Sequence, residues 1–452
     1  MQQKLFYPEC DNLCLIGIQD KGVFEWLERD EKRRLFLVGC GWTGSHPRIW
    51  SYGGETMLHQ KLAANEIGWS AAMQHLEIRA AEGWESLEFR VRESHLAAFL
   101  LLSSVKDMGI GAFSNARKNW KRGPFVSLAS LKGKLAGIPA IVAGAGPSLE
   151  DALPTLKEAS SRALLIGSGT ALSIFGKWGI KPHLACALDQ RTPTAFVKSA
   201  EGSLFCVQSQ LNSEAMAEIA GRKILATEQG ALWESWWLSK EGEFDSGCIV
   251  GTFATQIALY LGCSPILFTG MDLCYRGNVK YAEHHKQDRF ELVETQNRKG
   301  ASVLTQHDWL MALQWHRTLS SRHPERHWIN TALDGLSFGD EVEVFSWKES
   351  MQFLKREVDA QERLRAAVEM APELKVDEGK EAEWQESLKR LLAAPSLEAM
   401  ESEPVYRYYL APLWNLWRPV FQRKYRNEED FEGARGAFFQ KVLTLLNSVS
   451  SL

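Results

Sequence analysis

The chain is short of several things, and each shortage closes off a class of protein. Its 452 residues hold only eight cysteines, scattered along the sequence. Cys10 and Cys14 form a close pair, but no second pair or nearby histidine completes a zinc site. Cys186, Cys206 and Cys263 sit in apolar runs and read as small core residues. No secretory leader is read at the start, so a reducing cytoplasm is the expected location. Positive charge is not in excess either. The 52 Lys and Arg against 56 Asp and Glu give a net charge of -4, which implies no nucleic-acid partner. The basic run ARKNWKRG, 116–123, is short and reads as a solvated linker. Charge is missing altogether from Ser246 to Met271, long enough to span a bilayer. Gly262 and Pro265 interrupt that stretch, so a helix to Leu261, a turn and a strand at 266–270 are predicted, and no membrane span. Tandem repeats and low-complexity tracts are absent.

What is present is a 45% hydrophobic, 24% charged composition, enough apolar material for a good core, and 17 tryptophans. Residues 1–120 mix candidate strands (NLCLIGI, RRLFLVG, LEFRV) with a helical stretch, ESHLAAFLLLSSVKDMG, and read as a small α/β domain. From residue 138 strands and helices alternate regularly: PAIVAG, LEDALPTLKEA, ALLIGS, TALSIFGKWG, HLACALD. That rhythm predicts a Rossmann-like, mostly parallel sheet with helices on both faces, over 125–345. Residues 346–452 turn helical and highly charged, a helical C-terminal domain. In it, Trp414, Trp417 and Phe421 fall at helical spacing and are expected to pack on the chain itself, with an acceptor groove as the alternative.

Two glycine loops compete for a functional role. LFLVGCGWTG carries Gly39, Gly41 and Gly44 at dinucleotide-fingerprint spacing. That fingerprint works only if a helix follows, aiming amide N–H groups at a pyrophosphate. Here Pro47 and the Gly53–Gly54 pair forbid one, so a plain tight turn is expected. IPAIVAGAGPSLED does lead from a strand into a helix. Gly144 and Gly146 flank Ala145, Pro147 fixes φ, and Ser148 with Asp151 is spaced as a capping box. Loop amides there could receive a phosphate. Other strand ends agree: Ser168 and Gly169 in IGSGT, Asp189, Asp272, and Thr252 at the start of a helix. Each alone is explained as a turn or a cap; together they line one sheet edge, where open α/β sheets bind ligands.

These segments, with GIKPH, ALDQRTP, GTFATQIALYLGCSPILFTGMDLCY, VLTQHDW and WINTALDGLSFGD, resemble the DUF115 group over roughly 138–340. That group includes the Maf motility-associated factors, tied to flagellin glycosylation with nonulosonic acids, and the MptE-like 6-hydroxymethylpterin diphosphokinases. The same core is similar to bacterial sialyltransferases that use CMP-sialic acid. The resemblance implies that Gly144, Gly146, Pro147, Ser148, Ser168 and Gly169 line a nucleotide, with Asp189 and Thr252 close by and Tyr281 near the phosphate. It implies a CMP-sugar donor, no required metal, and a protein acceptor such as flagellin. The family's general base is a histidine whose expected place holds Val303 or a neighbour here, which leaves His284, His285 and His307 as candidates, with Asp272 also at the site. A diphosphokinase, needing magnesium on carboxylates such as Asp189 and Asp272, is the alternative. A nucleotide-binding module without catalysis is a third.

Overall fold

Leu13 and Leu15 face one side of the first strand, Cys14 and Ile16 the other, and all four are buried. A strand apolar on both faces belongs inside a covered parallel sheet, and the computed structural model contains two. It describes residues 11–53, 66–68, 76–105, 109–239, 242, 244–282, 292–393, 397–425 and 427–450. The chain forms two compact units: Met1–Ile110 with Ser387–Leu452, and Gly111–Glu386.

In the first unit β1 (Asn12–Ile16), β2 (Arg34–Val38), β3 (Ile49–Tyr52) and β4 (Leu76–Ala80) run parallel in the order β3-β2-β1-β4. Val23, Trp26 and Leu27 of the helix Gly22–Glu28 cover one face. Leu87 and Val91 cover the other. The segment LEFRV, expected as a strand, is therefore part of the helix Glu85–Ser104. Its two buried residues, Leu87 and Val91, lie four apart, which stacks them on one helical face, while Phe89 points to solvent. The C-terminal stripe packs inward. Trp414 is buried, with ring centroids 5.3 Å from Phe438 and 5.6 Å from Phe431, and Trp417 packs with Ala98 and Leu102.

In the second unit the strands are β5 (Phe125–Ser127), β6 (Ala140–Ala143), β7 (Leu164–Ser168), β8 (Leu184–Ala187), β9 (Leu204–Val207), β10 (Lys223–Leu225), β11 (Ile266–Thr269), β12 (Leu292–Gln296), β13 (Ser302–Gln306), β14 (Trp328–Asn330) and β15 (Val342–Val344). Among the described residues, nine form one parallel sheet in the order β15-β14-β11-β6-β7-β8-β9-β10-β5, and β12 and β13 make a separate antiparallel hairpin. Ile141, Ala143, Leu165 and Leu267 meet the helices Leu149–Ala159 and Thr170–Lys177. Val142, Ile166, Cys186 and Phe268 meet the helix Val250–Tyr260 on the opposite face. The expected architecture, a parallel sheet flanked by helices plus a helical C-terminal region, is the one observed.

The run 116–123 is not a solvated linker. Its first five residues end the helix Ile110–Trp120, where Ala116, Arg117, Asn119 and Trp120 are buried and Arg117 pairs with Glu381. Trp120 joins a cluster in which Trp237 lies 5.1 Å from both Trp120 and Trp384, which accounts for part of the tryptophan excess. The uncharged stretch folds as the helix Val250–Tyr260 followed by β11. Among the described residues, no helix is long and apolar enough to cross a membrane.

Candidate functional site

The order of the large sheet reverses at β6: the chain passes from β6 to β7 on one side and later lays β11 on the other. Loops leaving the carboxyl ends of two such neighbours part company, and ligands of open α/β sheets bind in the crevice between them. Here the two loops are tied together at their roots. The Gly144 N–H donates to the Thr269 carbonyl at 2.9 Å, and the Gly146 N–H to the Gly270 carbonyl at 2.8 Å. The Ser148 N–H donates to both oxygens of Asp272 at 3.1 Å, and its hydroxyl donates to Asp272 Oδ2 at 2.8 Å while accepting from the Gly270 N–H at 3.1 Å.

These bonds correct two expectations. Ser148 does not cap its helix: its φ is −67° and ψ −12°, and no side-chain cap is formed. Asp151 stays mostly exposed, 3.9 Å from Arg276. Nor are the amides of Gly144, Gly146 and Ser148 available to a phosphate, because each already has an acceptor in the neighbouring loop. The glycines are needed for that close approach. A Cβ on Gly144 would strike the Gly270 carbonyl, and one on Gly146 would strike the Asp272 carboxylate.

Beyond the tied roots a cavity of about 180 Å³ opens. Gly144, Ala145 and Gly146 form one wall, with Ser168 and Thr170 beside them. Ile249, Val250 and Gly251 present the start of an 11-residue helix, whose first amides have no intrahelical acceptors. Lys280, Tyr281, Asp308 and Trp309 close the far side. Tyr281 is placed by its neighbour: the Ala282 N–H donates to the Ala145 carbonyl at 2.8 Å.

The other sequence candidates divide. Ser168 reaches the cavity, although its hydroxyl donates to the Ala143 carbonyl at 3.1 Å. Gly169 has φ +52°, and a Cβ there would meet Val250 at 2.9 Å, so it sets the spacing between two cavity walls. Thr252 is fully buried; its hydroxyl donates toward the Ser246 and Ile249 carbonyls and accepts from the Ile249 N–H. It builds the helix start, and its oxygen is not free for a phosphate. Pro147 is buried in the turn into the helix Leu149–Ala159. Asp189 is exposed after β8, where Oδ1 accepts from the Arg191 N–H at 2.7 Å. Asp272 is 3% exposed, and burial pushes its carboxyl up to about 6 against the pull of the Ser148 donors and Arg276. It fastens the loops from beneath and is not among the residues lining the cavity. His307 is half-buried at the first position of the helix His307–Arg322. His284 and His285 lie outside the described residues. Val303 lies in β13, partly buried against the core.

Lys280, Asp308 and Trp309 were not singled out in the sequence. The hairpin β12–β13 brings the last two there: the Thr305 hydroxyl donates to the Leu273 carbonyl at 2.6 Å, and the Tyr275 N–H to the Leu304 carbonyl at 2.8 Å. Lys280 is 3% exposed, its Nζ 5.0 Å from the Tyr281 ring centre and 5.5 Å from that of Trp309. A buried ammonium, a helix start and glycine-rich backbone around one crevice suit an anionic ligand.

Comparison with known proteins agrees with this fold. Over 98% of its length the chain is similar to a solved structure, "Structure of MAf glycosyltransferase from Magnetospirillum magneticum AMB-1". That match covers 80% of the other chain, with a TM-score of 0.55 and 14% sequence identity. A search of curated proteins found no match. Residues 112–278 match the family described as "6-hydroxymethylpterin diphosphokinase MptE-like". That match overlaps the stretch whose loops resemble the DUF115 group.

Proposed function

We propose that this protein is a glycosyltransferase that moves a nonulosonic acid, of pseudaminic, legionaminic or sialic type, from its CMP form to a protein hydroxyl. The observation that carries the reading is the anion-suited crevice at the β6/β11 reversal, in a fold shared with a Maf glycosyltransferase. In this reading Gly144, Gly146, Ser168 and Gly169 shape the nucleotide's seat. Tyr281 and the helix amides at Val250 and Gly251 stabilise the departing phosphate. His284, His285 or His307 takes the acceptor proton. Flagellin is the acceptor suggested by the Maf likeness, and the cytoplasm the place of action.

The diphosphokinase reading draws less support. Its magnesium would need clustered carboxylates. Asp189 follows β8 and Asp272 follows β11, three strand spacings or about 14 Å apart. Asp272 is moreover engaged beneath the loop.

A melting-temperature panel with CMP, CDP, UDP, ADP and ATP, with and without magnesium, tests the choice. Stabilisation by CMP and CDP without magnesium is expected, together with CMP release from a CMP-nonulosonate in the presence of EDTA. Stabilisation by magnesium-ATP alone, with diphosphate transfer to a pterin alcohol, would replace the glycosyltransferase.

A further inference from the structure

The start of the helix Val250–Tyr260 is held from a distance. The segment leading to it begins beside β10, four places from β6 in the sheet, about 19 Å away. There the Phe244 N–H donates to the Thr227 carbonyl at 3.3 Å, and the Gln229 N–H to the Phe244 carbonyl at 2.8 Å. Two residues on, Ser246 is buried, and its hydroxyl donates to Glu228 Oε2 at 2.7 Å. The same oxygen accepts from Gln208 Nε2 at 2.6 Å, and Oε1 from the Ser246 N–H at 3.4 Å. The Ser246 carbonyl accepts from the Thr252 hydroxyl at 2.8 Å, and that hydroxyl accepts from the Ile249 N–H at 3.1 Å. A Cβ on Gly247 would lie 2.5 Å from the Thr252 oxygen, so the segment lies directly against the helix start.

A continuous path of hydrogen bonds thus runs from Gln208 through Glu228, Ser246 and Thr252 to Ile249, which lines the cavity with Val250 and Gly251. Glu228 itself does not line it. Resting on the CMP-donor reading, we propose that Glu228 is a positioning residue. Through Ser246 and Thr252 it fixes the helix amides at Val250 and Gly251 where they receive the donor phosphate. The other anchor of the segment is weaker. Asp245 is exposed; its Oδ1 accepts from the Gly247 N–H at 2.9 Å, and its Oδ2 from Trp315 Nε1 at only 3.3 Å.

Fixed amides stabilise developing charge because nothing need reorient at the moment of reaction. The phosphodiester of a CMP-sugar carries one negative charge, and the departing CMP carries up to two. The helix start therefore interacts more strongly with the leaving group than with the bound donor. Loosening it should act on turnover and on CMP affinity more than on the donor's KM.

The test uses the full chain, CMP as ligand and a CMP-nonulosonate as donor. In Glu228→Ala, kcat for CMP release should fall about tenfold, less than the about 10²–10³ of an oxyanion donor removed outright. Calorimetry should show CMP affinity down about tenfold, while donor KM rises less than about threefold. Ser246→Ala should match it, and the double variant should be no worse than either alone, since both cut one path. Glu228→Gln can put its carbonyl oxygen at the place of Oε2 and keep both short bonds, so it should stay within about threefold of wild type. Should Glu228→Ala fail to fold, loss in Ser246→Ala with retention in Glu228→Gln supports the role. Wild-type CMP affinity in Ser246→Ala or Glu228→Ala overturns it. So do losses that multiply in the double variant, a donor KM that rises as far as CMP affinity falls, or a Glu228→Gln as poor as Glu228→Ala. Each of those results leaves CMP binding standing. If wild type binds CMP but releases none from the donor, transfer is lost and the CMP affinities alone decide the positioning. Failure of the wild-type protein to bind CMP removes the donor reading itself, and this inference with it.

Discussion

The two parallel sheets solve the same topological problem in opposite ways. In the small sheet the order β3-β2-β1-β4 reverses at β1, as the large sheet reverses at β6. Each reversal leaves a crevice at the carboxyl ends of the strands. In the small sheet the indole of Trp84 occupies it. A Cβ on Gly17, after β1, would lie 2.5 Å from Trp84 Nε1, and one on Gly39, after β2, 2.6 Å from Trp84 Cη2. Of the fingerprint glycines, Gly39 makes room for that indole, a side chain of the protein itself. In the large sheet the glycines make room for the neighbouring loop, and the crevice beyond stays open and faces Lys280. Spacing of glycines therefore says little about ligands here. Whether a side chain plugs the reversal says more.

The sharpest way to break this comparison is Gly146→Ala. The added methyl meets the Asp272 carboxylate and the Gly270 carbonyl, and neither can yield without undoing the bonds that tie the loops. A cost of about 3 kcal/mol is expected, the upper end for overpacking, together with loss of CMP binding. Urea denaturation and calorimetry read the two effects. Normal stability with weakened CMP binding would mean that the glycine faces ligand, not the neighbouring loop.

Trp84→Ala comes next. The indole is half-buried, so the loss should be about 2 kcal/mol, below the 3–5 kcal/mol of a fully buried aromatic. CMP affinity should be unchanged. A cost under about 0.5 kcal/mol, the range of neutral surface changes, would show that the indole does not fill the small-sheet crevice.

Much of this was legible in the chain. The strand–helix rhythm from Ala140 onward appears as drawn from sequence, because fully buried parallel strands are continuous apolar runs bounded by turns. The turn at Gly39–Gly44 was legible from Pro47, since no helix follows β2 before β3. LEFRV was not, because four apolar or long residues in five fit either period until a partner surface selects one. The role of Ser148 was hidden for a different reason. Its partner Asp272 is 124 residues away, and only the pairing of β6 with β11 joins them. Lys280 and Asp308 were hidden by the same kind of distance. The hairpin that returns Asp308 to the crevice has the mixed, half-exposed pattern of a solvent-facing ribbon and carries no core signal.

The smallest expected effect belongs to Gly41→Ala, and it decides whether the literal fingerprint has any hidden role. Gly41 has φ +67°, in the left-handed region, where any side chain is strained. The new methyl would meet only Gln19 Nε2 at 3.3 Å, the far end of a flexible side chain. The cost should therefore be mainly that of the backbone conformation, about 1 kcal/mol. Chemical denaturation of the full chain would measure it. No residue of this loop lines the crevice at β6, so affinity for CMP should match wild type within a factor of two or so, less than about 0.5 kcal/mol. A tenfold loss of CMP affinity in Gly41→Ala, with the small stability change as expected, would mean that the fingerprint glycines do serve a nucleotide. The plugged and the open crevice would then have exchanged roles.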